Sequence, residues 1–292
     1  MEDQDMRDCL KETRCTKNNE NPYGMPIWKI FSFLFWPIYS HPLGKQWTLN
    51  PEPYGEEAHW RGGGTPLSYS IEPSCDKVQF VPHSERARDK YALVMTKAMR
   101  NFLPGETNGW EIDDFNHAAN ETGIKFKACA DPDPESDRLG PISLPKSVEN
   151  LGTLGQTEFV QLLARASVLV GVGRPETYGT FFRVFVDMRT MLTFLTRSPT
   201  PYEALCLGIP FINPILHWNR EKPELREAWG AQHSMLKLLD PPYVYNVKKG
   251  DREGLTKAIQ AALNDPIDRP HEADVDNPEC RICIVERLAY RG

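Results

Sequence analysis

The apolar positions of this chain change rhythm along its length, and the rhythm marks out its elements. The first 24 residues hold few of them and read as a disordered tail. Met25 to Tyr39 is the most apolar stretch, rich in Trp and Phe, and reads as a buried strand. It is shorter than the ~20 apolar residues a membrane span needs. It also contains Lys29 and follows Glu2, Asp3 and Asp5, the wrong flank for a signal peptide.

From Lys77 onward, helical and strand patterns alternate. Ser84 to Leu103 places Tyr91, Val94, Met95, Ala98, Met99 and Phe102 at helical spacing, and Pro104-Gly105 stops the run. Trp110 to Thr122 reads as a second helix and Ile124 to Cys129 as a strand. An Asp- and Pro-rich loop, Ala130 to Pro145, follows. Ser147 to Leu151 and Val168 to Gly171 are strands around a helix from Gln156 to Ala166. Such a βαβ unit implies a parallel sheet. Tyr202 to Leu207 starts a helix, Ile209 to Asn213 is a strand, and Pro223 to Leu239 is helical. Tyr243 to Val247 is a strand, Asp251 to Leu263 a helix, and Cys280 to Tyr290 a closing helix. The expected architecture is a doubly wound α/β domain with a Rossmann-like parallel sheet. Ligands of such sheets bind beyond the carboxyl ends of the strands.

Composition changes this picture little. The 292 residues are 40% hydrophobic and 25% charged, an ordinary globular balance with ample material for a core. A net charge of -6 offers no global field for nucleic acid or anionic membrane. Seven scattered cysteines do not suggest a disulfide framework, and Cys280-x-x-Cys283 has no second pair at zinc spacing, so it reads as packing.

Candidate chemistry lies after the strand at Val168. Gly171-Val172-Gly173 makes a GxG turn, but a dinucleotide fingerprint needs a third glycine at position 176, which holds Glu176 after Pro175. The turn also lies deep in the chain, so an NAD site is disfavoured, while close approach of backbone to a phosphate remains a fair expectation. Next, Pro199 and Pro201 suit a helix start, Ser198 or Thr200 can cap it, and Gly208 ends it. Glu203 falls in the first turn. Its carboxylate could accept hydrogen bonds from two vicinal hydroxyls, as on a ribose, or could merely favour the helix dipole.

Glu203-Ala204 followed by Gly208-Ile209-Pro210, after a strand and a GxGxP loop, resembles the donor domain of GT-B glycosyltransferases. The approach through Gly152 to Glu158, Leu162-Leu163 and Ala166 to Val170 fits the same pattern. More narrowly the chain resembles glycosyltransferase family 18, the N-acetylglucosaminyltransferase V group. Gly171 to Pro175, Pro199 to Glu203, Phe211 to Pro214, Lys222 to Glu227 and Gln232-His233 carry that resemblance. Tyr69 to Pro73 and Phe80 to Pro82 look like fungal members. The resemblance implies residues 25–292 as a nucleotide-sugar-binding domain and UDP-N-acetylglucosamine (UDP-GlcNAc) as donor. It further implies the 6-hydroxyl of an N-glycan mannose as acceptor, inversion, no metal or other cofactor, and residence in the Golgi. By position, Glu203 matches the glutamate against the donor nucleotide and Lys222 a lysine that neutralises the diphosphate, as a developing UDP leaving group requires. Gly171 and Gly173 complete the donor-binding set. Arg174, Glu176 and Arg226 are secondary candidates, with Arg226 and His233 open to a structural reading.

Two departures stand out. An inverting transfer needs a carboxylate base, expected on an acceptor domain, and neither that domain nor a Golgi anchor is recognisable here. The catalytic residue is therefore unassigned, and the chain by itself is expected to be without transferase activity, an inactive sugar-nucleotide-binding module being the alternative function. The other departure is Thr177 to Arg197, an apolar insertion between the GxGxP loop and the helix that resembles nothing in the family. It reads as a translated intron or as a genuine lid; the expectation is a segment with few contacts to the sheet.

Overall fold

In a computed structural model of the chain, the structure describes residues 3–33, 41, 43–50, 65–66, 75–105, 108–131, 142–173, 200–233 and 235–267. These form two compact units, one built by the described residues up to 66 and the other by those from 75 on.

The first unit opens with α1 (Asp3–Lys11), a helix inside the segment expected as a disordered tail. Cys9 is disulfide-bonded to Cys15 and buried beside Ile30. Three very short strands pair in parallel, β1 (Ser32–Phe33), β2 (Thr48–Asn50) and β3 (Thr65–Pro66). The buried strand expected over Met25 to Tyr39 is corrected for its described part. Ile27–Lys29 is a 3-10 turn, with Ile27, Trp28 and Phe31 exposed, and only Ser32–Phe33 enters a sheet. Residues 34–40 lie outside the described residues, as do the insertion at 177–197 and the closing helix with its cysteine pair.

The second unit holds α2 (His83–Arg86), β4 (Tyr91–Met95), α3 (Ile112–Thr122), β5 (Lys125–Ala128), β6 (Val148–Asn150) and α4 (Gln156–Ala164). It continues with β7 (Val168–Gly171), α5 (Thr200–Cys206), β8 (Phe211–His217), β9 (Gly230–Ala231), β10 (Val244–Lys248) and α6 (Arg252–Asn264). The strand order is β6-β5-β4-β7-β8-β10, all parallel, with β9 added antiparallel to β8. The chain starts in the middle at β4, winds outward to β6, returns to β7 beside β4, and winds outward again. This is the doubly wound Rossmann order, with its switch point between β4 and β7.

Burial explains the strands. Tyr91 to Val94 and Val168 to Gly171 are buried throughout, as expected of central parallel strands covered on both faces. That is also why the helix expected over Ser84 to Leu103 is absent: a continuous apolar strand with apolar turns on either side reproduces helical spacing by coincidence. β4 occupies its centre, and 3-10 turns at Ala87–Asp89 and Met99–Phe102 flank it. Phe115 of α3 packs edge-on against Phe102 and Phe126, with ring centroids 5.6 and 5.4 Å away. Asp114 closes the start of α3 by accepting from Glu111 N (2.8 Å) and pairs with Arg252 of α6 (2.8 Å).

The helix expected over Pro223 to Leu239 is also corrected. The segment makes a 3-10 turn at Arg226–Ala228, then β9, then a second 3-10 turn at Leu236–Leu238. Several of its carbonyls are taken by side chains instead of helical amides. The Lys237 ammonium, 1% exposed, donates to Glu227 O (3.0 Å) and Trp229 O (2.9 Å), and the Trp229 indole donates to Pro223 O (2.9 Å). Gly230-Ala231 is freed to pair with the far end of β8, past the end of β7.

Candidate site at the topological switch point

Two loops leave the switch point, one after β4 and one after β7. The first begins Thr96-Lys97-Ala98, where the Thr96 hydroxyl donates to Ala98 O (3.0 Å) and accepts from the Asn101 amide (3.0 Å). The second is Gly171-Val172-Gly173. Residues just ahead of α3 brace it on one side: Gly109 N donates to Val172 O (2.8 Å) and the Trp110 indole to Gly171 O (2.7 Å). Gln232, directly after β9, braces the other side, its Oε1 accepting from Gly173 N (2.9 Å).

Gly171 is required here by packing. A Cβ built on it would meet the Gln232 side chain and come within 2.8 Å of Pro214 Cδ. Its lack of a side chain therefore admits protein atoms, where the sequence suggested a ligand phosphate. The Gly173 amide, expected to face a phosphate, is occupied by Gln232.

Helix α5 presents Glu203, 3% exposed, from its first turn. Its Oε2 is buried without a hydrogen-bond partner among the described residues. Burial pushes its carboxyl above the ordinary range, and the Lys97 ammonium opposes that shift from the loop after β4. Tyr202, the preceding residue, meets the His233 ring edge-on at 4.9 Å. His233 is itself held by Asn213 of β8, fully buried, whose Oδ1 accepts from His233 N (3.0 Å) and whose Nδ2 donates to His233 O (3.2 Å).

The far end of α5 is anchored twice. The Arg86 guanidinium, 3% exposed, donates to Gly208 O (2.8 Å) and Val81 O (2.8 Å), and burial lowers its pKa to about 10. Gly208 closes the helix with φ +72°, a conformation that favours glycine. Cys206 is disulfide-bonded to Cys75, 131 residues earlier. The expectation of no disulfide framework is thus corrected: among the described residues two bridges form and Cys129 is free.

Of the sequence candidates, the structure brings Gly171, Gly173 and Glu203 to the switch point. Lys222 is exposed in the loop between β8 and β9, its amide accepted by Asn219 Oδ1 (3.2 Å); no contact joins it to Glu203 among the described residues. Arg226 pairs with Asp240 (2.5 Å) and lies over Trp229, which employs it in holding that same loop. Arg174 and Glu176 lie outside the described residues. Sequence reading missed Lys97, Trp110 and Arg86. Lys97 carried a usable signal, a basic residue just after a fully apolar run, had that run been recognised as a strand.

No family model matches the chain. A stretch of 143 residues is 28% identical to alpha-1,6-mannosylglycoprotein 6-beta-N-acetylglucosaminyltransferase B of Mus musculus, and equally to that of Homo sapiens. That stretch is glycosyltransferase-like in sequence. It represents 46% of this chain and 15% of each relative. Among solved structures, sucrose-phosphate synthase from Thermosynechococcus elongatus aligns with a TM-score of 0.44 and 15% identity, over 83% of this chain and 54% of that one. UDP-GlcNAc 2-epimerase from Methanocaldococcus jannaschii aligns at 0.35 and 17%, over 75% and 49%. The fold assignment rests on the strand order and not on these alignments.

Proposed function

We propose that this chain carries the donor half of a GT-B glycosyltransferase of the fungal family 18 type. Its donor is UDP-GlcNAc, and the whole protein transfers N-acetylglucosamine to the 6-hydroxyl of an N-glycan mannose, with inversion and without a metal ion. The observation that carries the reading is Glu203: a buried carboxylate with an unpartnered oxygen beside a Rossmann switch point. Leaving such an acceptor unmade is expensive, and a vicinal diol brings hydroxyl donors to it. The similarity to two N-acetylglucosaminyltransferases supports the donor's identity. Two disulfides support an oxidising compartment such as the Golgi lumen. The loop after β4, where a dinucleotide fingerprint would stand, runs Thr96-Lys97-Ala98-Met99-Arg100-Asn101 without a glycine, which argues against NAD.

In this reading Glu203 accepts from the ribose hydroxyls, while Lys222 and Lys97 supply positive charge toward the diphosphate. The base that deprotonates the acceptor belongs to an acceptor-binding domain. The test is thermal stabilisation: UDP-GlcNAc raises the melting temperature by mass action and NAD does not. Glu203→Ala and Lys222→Ala each shrink that shift, each removing a charge-assisted contact of ~1.5–3 kcal/mol. A shift with NAD and none with UDP-GlcNAc overturns the proposal.

A further inference from the structure

Gln232 belongs to the residues that carry the family resemblance, yet the donor reading gives it no task. Its side chain is 4% exposed. Its Oε1 accepts from Gly173 N at 2.9 Å, and its own backbone amide donates to Pro214 O at 3.0 Å. Gly171 lacks a Cβ where that side chain lies. The neighbouring His233 is clamped on both backbone groups by Asn213, which also donates to Asn246 Oδ1 of β10 (3.0 Å). Gln232 is thus held from its own backbone, from the strand beneath and from the loop it touches.

A carboxamide has one acceptor oxygen and two donor hydrogens on nitrogen. With the oxygen committed to Gly173, the orientation of the group is set and its Nε2 is left over. That nitrogen has no acceptor among the described residues. Glu203 Oε2, an acceptor without a donor, belongs to the same switch point. One end of the site therefore lacks donors and the other lacks an acceptor. A nucleoside diphosphate brings both, a diol and an anion.

We propose that Gln232 is a binding residue for the donor diphosphate, its Oε1 fixing the GxG loop and its Nε2 donating to a phosphate oxygen. This rests on the donor-site reading above. It also changes how that loop works: the Gly173 amide serves Gln232, and Gln232 relays the contact to the phosphate.

Gln232→Glu tests this, because it keeps an acceptor for Gly173 N and replaces the donor nitrogen with an anionic oxygen. Affinities for uridine and UDP are measured by calorimetry for the wild type, Gln232→Glu and Gln232→Ala, with melting temperatures alongside. The expected result is UDP affinity reduced at least about tenfold in Gln232→Glu, from loss of one charge-assisted hydrogen bond plus repulsion, with uridine affinity unchanged. Gln232→Ala should lower UDP affinity less, because it loses the donor without adding repulsion. An unchanged UDP-to-uridine ratio in Gln232→Glu overturns the assignment and leaves the donor site standing. Equal loss of both ligands also overturns it, since a purely structural role has that signature. A wild type that binds neither ligand overturns the donor-site reading and this assignment with it.

Discussion

Glu203 is only 3% exposed and carries an oxygen that nothing in the described chain satisfies. Desolvation raises its folded-state pKa above the ordinary 4.5, and Lys97 offsets this only in part. A raised folded pKa means the folded protein holds the proton more tightly than the unfolded one. Its contribution is fully present below pH 4.5 and is lost as pH rises through the elevated folded value. Glu203→Gln removes that dependence. Melting curves should therefore show the variant gaining on the wild type as pH rises from about 4.5 toward neutrality, while its response to UDP-GlcNAc weakens. A difference in melting temperature that stays flat with pH would contradict the burial described. The glutamate itself was legible in the sequence, because helix-start prolines and a glycine stop bracket it. Its missing partner was not, because satisfaction of an atom depends on every chain segment folded around it.

Helix α5 shows how an element of seven residues is made firm enough to carry a site. So short a helix is marginal by itself, so tertiary contacts must hold it. Arg86 bonds the Gly208 carbonyl, and Cys75 is bridged to Cys206. Arg86→Met should destabilise the protein by ~1–3 kcal/mol, since it leaves the buried Gly208 carbonyl and the half-buried Val81 carbonyl without their donor. Cys206→Ser should cost about 2–4 kcal/mol under oxidising conditions and nothing further under reduction. Thermal melts with and without reductant check both. Neither anchor was visible along the chain, because Arg86 and Cys75 lie more than a hundred residues from their partners. The strands β5, β6, β7 and β10 emerged close to where the apolar pattern put them. β4 did not, because its apolar residues and those of the flanking turns combine into a helical spacing. Pro223 to Leu239 failed for a related reason: the apolar spacing was there, but Lys237 and Trp229 side chains satisfy the backbone in place of a helix.

At the scale of the whole molecule, the sheet assembles the site from segments that are distant in sequence. The loop after β4, the loop after β7, the start of α5 and the residues after β9 converge on one switch point. If a nucleotide sugar binds there, UDP-GlcNAc should slow hydrogen exchange at Thr96 to Ala98, Gly171 to Gly173, Tyr202 to Ala204 and Gln232-His233 together. The edge strand β6, two strands away from β4 and the switch point, should be unaffected. Protection centred on β6, or spread evenly over the sheet, would place the ligand elsewhere. The alternation of strands and helices, the GxG turn and the helix bearing Glu203 follow from local chemistry, since period, proline and glycine act over a few residues. That much the sequence determined unaided. Which amide Gln232 occupies, which carbonyls Arg86 caps and which cysteines pair were decided only by tertiary structure. The bonds from Gln232 to Gly173, from Arg86 to Gly208 and from Cys75 to Cys206 join segments tens to more than a hundred residues apart, and hydrogen bonding and burial are properties of the assembled neighbourhood rather than of any stretch of chain.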